Sequence, residues 1–297
     1  MYGVNILNGE LDFTIDIMNG SENAIVCLPG TFISPLVYNR PQVSSSLDKL
    51  YISWMTSKGP WDIWSLGKRV SALARSLNYQ KLFLAGHSTG GAIALAAVIQ
   101  NPEVFSGIVL SNTGANMKNQ HGDVEVVLDA IENKWSTDIP IQVLRRSFFF
   151  QPDEEILNIL HSYVSGVTKD CALEVLRSQY DTDLTSYLGE IDIPVILAHG
   201  RYDTVRPIAH AELLQSELGN SELMLLEAGH TPMVEDPGGY GKPLRDYWRE
   251  PIYFLTRGIK LFRSINRRIC SGGQSNKAVP PDTYTAMFVK SLYECKS

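Results

Sequence analysis

Lys81-Leu82-Phe83-Leu84-Ala85-Gly86-His87-Ser88-Thr89-Gly90-Gly91-Ala92-Ile93-Ala94-Leu95-Ala96-Ala97 holds a strand, a turn and a helix in one short stretch. Leu82–Ala85 is a continuous apolar run, as a strand buried on both faces requires. Gly91–Ile99 is small and aliphatic and reads as a helix. Between them, Gly86-His87-Ser88-Thr89-Gly90 sets a serine at the tip of a strand-to-helix turn, the context in which a G-x-S-x-G segment forms an exposed elbow. Side chains at Gly86 and Gly90 would collide with neighbouring backbone. The helix starting near Gly90 aims free N–H groups and the positive end of its dipole at the place where an oxyanion would form. Leu82–Pro102 carries no formal charge, but the glycine turn at its centre makes it strand, turn and helix rather than a membrane span.

The same kind of apolar run recurs at Ala24–Leu28, Gly107–Leu110, Ile193–Ala198 and Glu222–Leu226, with helical spacing at Ser65–Leu77 and Ile208–Leu218. Strands alternating with helices predict an α/β fold: a mostly parallel sheet with helices on both faces. At the start, Val4–Leu7 and Leu11–Ile17 alternate around Asn8-Gly9, a hairpin signal, so the sheet is expected to open antiparallel. The alternation stops between Gly114 and Leu188. Helical stretches follow one another there (Val124–Trp135, Ile139–Phe149, Asp153–Tyr163, Lys169–Gln179), as an inserted helical cap would require. The expected organisation is a core of residues 1–113 and 189–268, a lid or cap of 114–188, and a C-terminal linker and short tail of 269–297. Trp135 and Phe148–Phe150 read first as packing of the cap on the sheet, and second as an apolar pocket lining.

The 297 residues are 44% hydrophobic and 20% charged, with a net charge of −6. That excludes a disordered or fibrous chain and argues against nucleic acid as a partner. The charge is uneven: residues 1–239 hold 15 Lys/Arg against 28 Asp/Glu, and residues 240–297 hold 11 against 4. Arg257, Lys260, Arg263, Arg267 and Arg268 alternate with Leu261, Phe262 and Ile265. This basic amphipathic segment reads first as a solvated helix on an acidic body, with membrane or protein docking as the alternative. Met1–Asp12 lacks the basic start and apolar run of a secretory signal, so a cytoplasmic location is expected. The four cysteines (Cys27, Cys171, Cys270, Cys295) show no metal spacing, and a Cys270–Cys295 bridge stays open. No metal cluster, phosphate loop or dinucleotide fingerprint is found, so no cofactor or metal is expected.

A serine is a poor nucleophile without a base, and the base needs an acid to orient it. Of six histidines, His87 adjoins the serine and points elsewhere, His121 and His161 fall in the cap, His199 precedes a strand-end glycine, and His210 lies in the following helix. His230, in Ala228-Gly229-His230-Thr231-Pro232, follows the last apolar strand on a loop, where this sheet type places reacting groups. Asp203 follows Ile193–Ala198 through His199-Gly200-Arg201-Tyr202. The rival position after Gly107–Leu110 offers Ser111, Asn112 and Thr113 but no carboxylate, and Asp192 lies before its strand. Ser88, Asp203 and His230 are therefore the candidate catalytic residues.

Gly86–Gly90, Asp203 and His230, in that chain order, resemble the α/β-hydrolase fold family, whose triad runs Ser, Asp, His. The resemblance covers roughly Ile15 to Leu255. It extends to Leu28-Pro29-Gly30-Thr31, similar to the turn after the third strand where many members carry His-Gly. It implies that the backbone amides of Thr31 and Thr89 form the oxyanion hole. The chain departs from the family at Pro29, at Trp54–Pro60 where many members show Asp-x-Arg-Gly-x-Gly-x-Ser, and in its basic extension. A serine at position 88 disfavours the members that use an aspartate nucleophile. The expected function is a serine hydrolase acting on an ester-like acyl bond (carboxylic ester, lactone or thioester) of a small to medium organic substrate. Two other classes stay open: an acyltransferase or carbon–carbon bond hydrolase using the same site, and a ligand-binding or cyclase-like protein with slow or no turnover.

Overall fold

The apolar runs assemble into one eight-stranded sheet in the computed structural model, which describes residues 3–7, 12–16, 20–43, 47–118 and 121–246. The strands are β1 (Gly3–Leu7), β2 (Asp12–Asp16), β3 (Asn23–Leu28), β4 (Asp48–Ile52), β5 (Lys81–His87), β6 (Gly107–Ser111), β7 (Val195–Gly200) and β8 (Ser221–Leu226). Their spatial order is β1-β2-β4-β3-β5-β6-β7-β8. β2 is antiparallel to both β1 and β4, and every pairing from β4 onward is parallel. The antiparallel opening matches the expectation. The Asn8-Gly9 turn, the basic segment Arg257–Arg268, Cys270, Cys295 and the tail 269–297 lie outside the described residues.

The helices are α1 (Ile63–Ser76), α2 (Thr89–Gln100), α3 (His121–Lys134), α4 (Asp138–Arg146), α5 (Glu154–Val164), α6 (Lys169–Asp181), α7 (Ala209–Glu217), α8 (Pro232–Glu235) and α9 (Pro237–Asp246). α3–α6 follow one another between β6 and β7, where the sequence places its helical insertion. Side-chain caps start three of the helices: Asp62 accepts from the Ser65 amide, Asp153 from Ile156 and Thr168 from Cys171.

β3, β5, β6 and β7 are buried almost throughout, because helices cover both faces of the sheet. α1 and α2 meet at backbone distance: a Cβ on Gly67 would lie 2.8 Å from the Ala97 nitrogen. Tyr38 and Tyr240, both buried, pack with ring centroids 6.2 Å apart, and the Tyr38 hydroxyl reaches the Leu28 and Ala85 carbonyls. Among the described residues no helix is long and apolar enough to cross a membrane.

The register sets where chemistry can occur. Gly86 aligns with Leu28 and Leu110, Ser111 with Ala198, and Gly200 with Leu226. The carboxyl ends of β3, β5, β6, β7 and β8 thus form one rim, and the loops leaving it carry Thr31, Ser88, Asn112, Asp203 and His230.

Candidate active site

Ser88 stands between β5 and α2 with φ 51° and ψ −119°, a left-handed conformation that costs a non-glycine residue strain. The close fit of the elbow holds it there. A Cβ on Gly86 would lie 2.7 Å from the Gly90 carbonyl oxygen, and one on Gly90 would lie 2.1 Å from the Leu28 oxygen. The Ser88 amide donates to the Ser111 carbonyl at 2.9 Å, and its own carbonyl accepts from Gly91 and from the Thr113 hydroxyl. A serine preceding a helix ordinarily caps it with its side chain. Ser88 makes no such cap, and its hydroxyl is free for another partner.

That partner is His230. Its Nε2 is 3.0 Å from Ser88 Oγ, and its Nδ1 is 2.8 Å from Asp203 Oδ2. The Asp203 side chain is 0% exposed and that of His230 5%. Burial alone would raise the Asp203 carboxyl, but the opposing charge of His230 and hydrogen bonds from His230, Asn112 and the Arg206 amide outweigh it and hold the group well below the usual carboxylate range. An ionised carboxylate only accepts, so the His230 proton sits on Nδ1 and the Nε2 lone pair faces the serine hydroxyl.

The support around these groups is dense. Asp203 Oδ1 accepts from the Val205 and Arg206 amides at 2.8 and 2.9 Å, and Oδ2 accepts from Asn112 Nδ2 at 2.6 Å. Asn112 also donates to the Gly229 carbonyl at 3.1 Å, so one side chain spans the acid loop and the histidine loop. His87 does point away from the serine. Its Nδ1 accepts from the Gly30 amide, which leaves the Nε2 proton for the His230 carbonyl at 2.8 Å. Burial, helped by the His230 ring, pushes the His87 imidazole down to about 3.

The turn after β3 lies against the elbow: a Cβ on Gly30 would lie 3.0 Å from Ser88 Cβ. Trp54–Pro60, where the chain departs from the family segment, braces this turn in its own way. Trp54 Nε1 donates to the Pro29 carbonyl at 2.9 Å, and the Phe32 amide donates to Met55 Sδ at 3.0 Å. The Thr31 and Thr89 hydroxyls are 2.7 Å apart. Among the described residues neither main-chain amide of this pair hydrogen-bonds to the protein. The structure therefore brings all five sequence-selected residues to one place.

Three polar residues here escaped the sequence reading. Asn112 is no carboxylate and so cannot be the acid, but its position beside β7 suits a donor to one. Gln179 of α6 accepts from Thr89 Oγ1 at 2.8 Å. Glu235, five residues past His230, receives amides from both the histidine loop and the connection between α4 and α5. Of the aromatic residues expected to pack the insertion on the sheet, Phe148 is buried in the core and Trp135 packs against it, whereas Phe149 and Phe150 do not. Their amides turn in to Glu235, and their half-exposed rings cluster on Tyr202, with the Phe149–Tyr202 centroids 4.6 Å apart. Among the described residues no His, Cys, Asp and Glu group could hold a metal ion.

The sequence model described as "alpha/beta hydrolase fold" matches residues 53–237. The chain is 28% identical over 189 residues to the 3-oxoadipate enol-lactonase 2 of Acinetobacter baylyi, covering 62% of this chain and 70% of that protein. It is 26% identical over 194 residues to the strigolactone esterase of Arabidopsis thaliana, covering 57% and 67%. Among solved structures, the esterase from Exiguobacterium antarcticum superposes with a TM-score of 0.72 at 17% identity, covering 84% of this chain and 99% of that one.

Proposed function

The chain belongs to the alpha/beta hydrolase fold family, and on that premise we propose that it is a serine hydrolase that cleaves an ester-like acyl bond of a small to medium organic substrate. The observation that carries this reading is the hydrogen-bonded line Ser88 Oγ–His230 Nε2, His230 Nδ1–Asp203 Oδ2, at 3.0 and 2.8 Å, at the start of α2. Esterase and lactonase activities in the names of similar proteins support the class of bond.

In this mechanism His230 takes the Ser88 proton as Oγ attacks the carbonyl carbon of the ester, lactone or thioester. Asp203 keeps the imidazole in the reactive tautomer and stabilises its charged form. The Thr31 and Thr89 amides receive the oxyanion, each contributing on the order of 3 kcal/mol in the transition state. His230 then protonates the leaving group. Water, deprotonated by the same imidazole, releases the acid from Ser88. The inserted helices α3–α6 act as a lid over the rim and shape the acyl pocket.

A panel of chromogenic esters of increasing acyl length, run on the wild type and on Ser88→Ala, tests this. The expected result is hydrolysis of at least one ester by the wild type and a loss in kcat on the order of a thousandfold or more in the variant. Near-normal rates in Ser88→Ala on every accepted ester would refute covalent catalysis by this serine.

A further inference from the structure

Gln179 sits on α6 of the helical insertion, 7% exposed, and joins a hydrogen-bonded chain with the two threonines whose amides are assigned to the oxyanion. The proton order along that chain is fixed. Gln179 Oε1 has no proton to give, so the Thr89 hydroxyl donates to it at 2.8 Å. The Thr89 proton is then used, so Thr31 Oγ1–H donates to Thr89 Oγ1 at 2.7 Å. Neither hydroxyl has a proton left for a ligand. The carboxamide of Gln179 is different: its oxygen is occupied, and among the described residues its Nε2 makes no hydrogen bond. Two N–H donors on a nine-tenths-buried side chain are thereby held one amide group from Thr89, whose main-chain N–H faces the scissile carbonyl in the proposed mechanism. Nε2 itself is not fully buried, so its N–H groups keep access to solvent at the site.

We infer that Gln179 is a specificity-determining residue: its N–H groups bind an acceptor oxygen carried on the acyl part of the substrate, close to the scissile carbonyl. The preferred substrates are then esters whose acyl chain bears an ether, hydroxyl, keto or carboxylate oxygen near the carbonyl, rather than plain alkanoates. This rests on the serine-hydrolase reading above.

The test uses p-nitrophenyl methoxyacetate and p-nitrophenyl butanoate, whose acyl groups have equal length and differ by one oxygen in place of one methylene. The ratio of their kcat/KM values is measured for the wild type, Gln179→Leu and Gln179→Glu. Taking a ratio across variants cancels the intrinsic reactivity of the two esters. Gln179→Glu keeps an acceptor for Thr89 but has no N–H donor, so it separates donation to substrate from tethering of α6. The expected result is a fall in the methoxyacetate-to-butanoate ratio of about three- to tenfold in both variants, the effect of one lost hydrogen bond. If Gln179→Leu fails to fold, Gln179→Glu carries the comparison. An unchanged ratio, with both esters slowed by one factor, would overturn the inference and leave Gln179 as a tether. Labelling of wild-type Ser88 by a fluorophosphonate separates the two readings. A labelled enzyme with an unchanged ratio overturns the role of Gln179 alone, whereas an enzyme neither labelled nor active overturns both.

Discussion

Replacing Glu235 by alanine removes, at a stroke, the acceptor for four backbone amides. Oε2 receives Phe149 at 2.9 Å, Phe150 at 2.8 Å and Gly229 at 3.1 Å, and Oε1 receives Thr231 at 3.1 Å. The first two amides belong to the connection between α4 and α5, and the last two flank His230. A hydrogen bond to a charged acceptor contributes about 1.5–3 kcal/mol when water cannot replace it. The Phe149 and Phe150 bonds are exposed and add little, whereas the pair at the histidine loop is partly buried. The expected loss of stability in Glu235→Ala is therefore about 2–4 kcal/mol, which lowers the melting temperature by about 3–6 °C in a chain of this size. Released from its carboxylate, the loop holds His230 less well over Ser88. We expect kcat to fall on the order of tenfold and KM to stay within about twofold. Glu235→Gln keeps one oxygen for the three amides at Oε2 but turns an N–H toward Thr231, so it should show less than half of each effect. Scanning calorimetry and ester hydrolysis measure both quantities. A Glu235→Ala protein melting within a degree of the wild type, with kcat within twofold, would refute the reasoning.

Three further expectations come from the same geometry. Asp203→Asn should lower kcat on the order of 10³–10⁴-fold with little change in folding, because an amide permits the wrong His230 tautomer; turnover within tenfold of wild type would count against the assigned proton position. Asn112→Leu strips Asp203 Oδ2 of its 2.6 Å donor and frees the Gly229 carbonyl, and should lower kcat about tenfold or more; unchanged steady-state kinetics would show that His230 and the main-chain amides suffice. The third concerns acid stability. His87 is held down to about 3 in the folded chain by burial, against about 6.5 when unfolded. Between those values the unfolded state binds a proton that the native state does not, so this contribution makes stability fall as pH falls, by up to about 1.4 kcal/mol per pH unit. Urea midpoints at pH 7, 6 and 5 should decline for the wild type and decline less steeply for His87→Gln, in which His210, held down to about 4 by burial, still contributes; equal slopes would contradict the assignment.

The positions where strands end were legible in the sequence because buried parallel strands announce themselves as uncharged runs. That is why Ser88 and Asp203, each just beyond such a run, could be picked out. His230 follows β8, an edge strand that holds Glu222 and is mostly not buried, and was legible only from the apolar stretch Leu223–Leu226. β4 was not legible, since Asp48-Lys49-Leu50-Tyr51-Ile52 opens with two charges that suggest surface. Both are buried: Tyr79 donates to Asp48 at 3.1 Å, and Lys49 Nζ donates to the carbonyls of Tyr38 and Pro41. Asn112, Gln179 and Glu235 were missed for a related reason. Asn112 and Gln179 work through partners 91 and 90 residues away in the chain, and Glu235 ties its own loop to residues 85 and 86 away; a polar side chain carries no local pattern that names so distant a partner. Phe149 and Phe150 show the converse: aromatic residues in a helical insertion suggest a core, yet the anchoring of their amides by Glu235 leaves the rings at the surface.

The most direct measurement is intact-mass and peptide mapping after brief exposure to a fluorophosphonate. We expect one phosphonyl group per chain, located on Ser88, absent from Ser88→Ala and formed far more slowly in His230→Gln. No adduct on the wild type, or an adduct on another residue that survives Ser88→Ala, would contradict the claim that His230 and Asp203 make this hydroxyl a nucleophile.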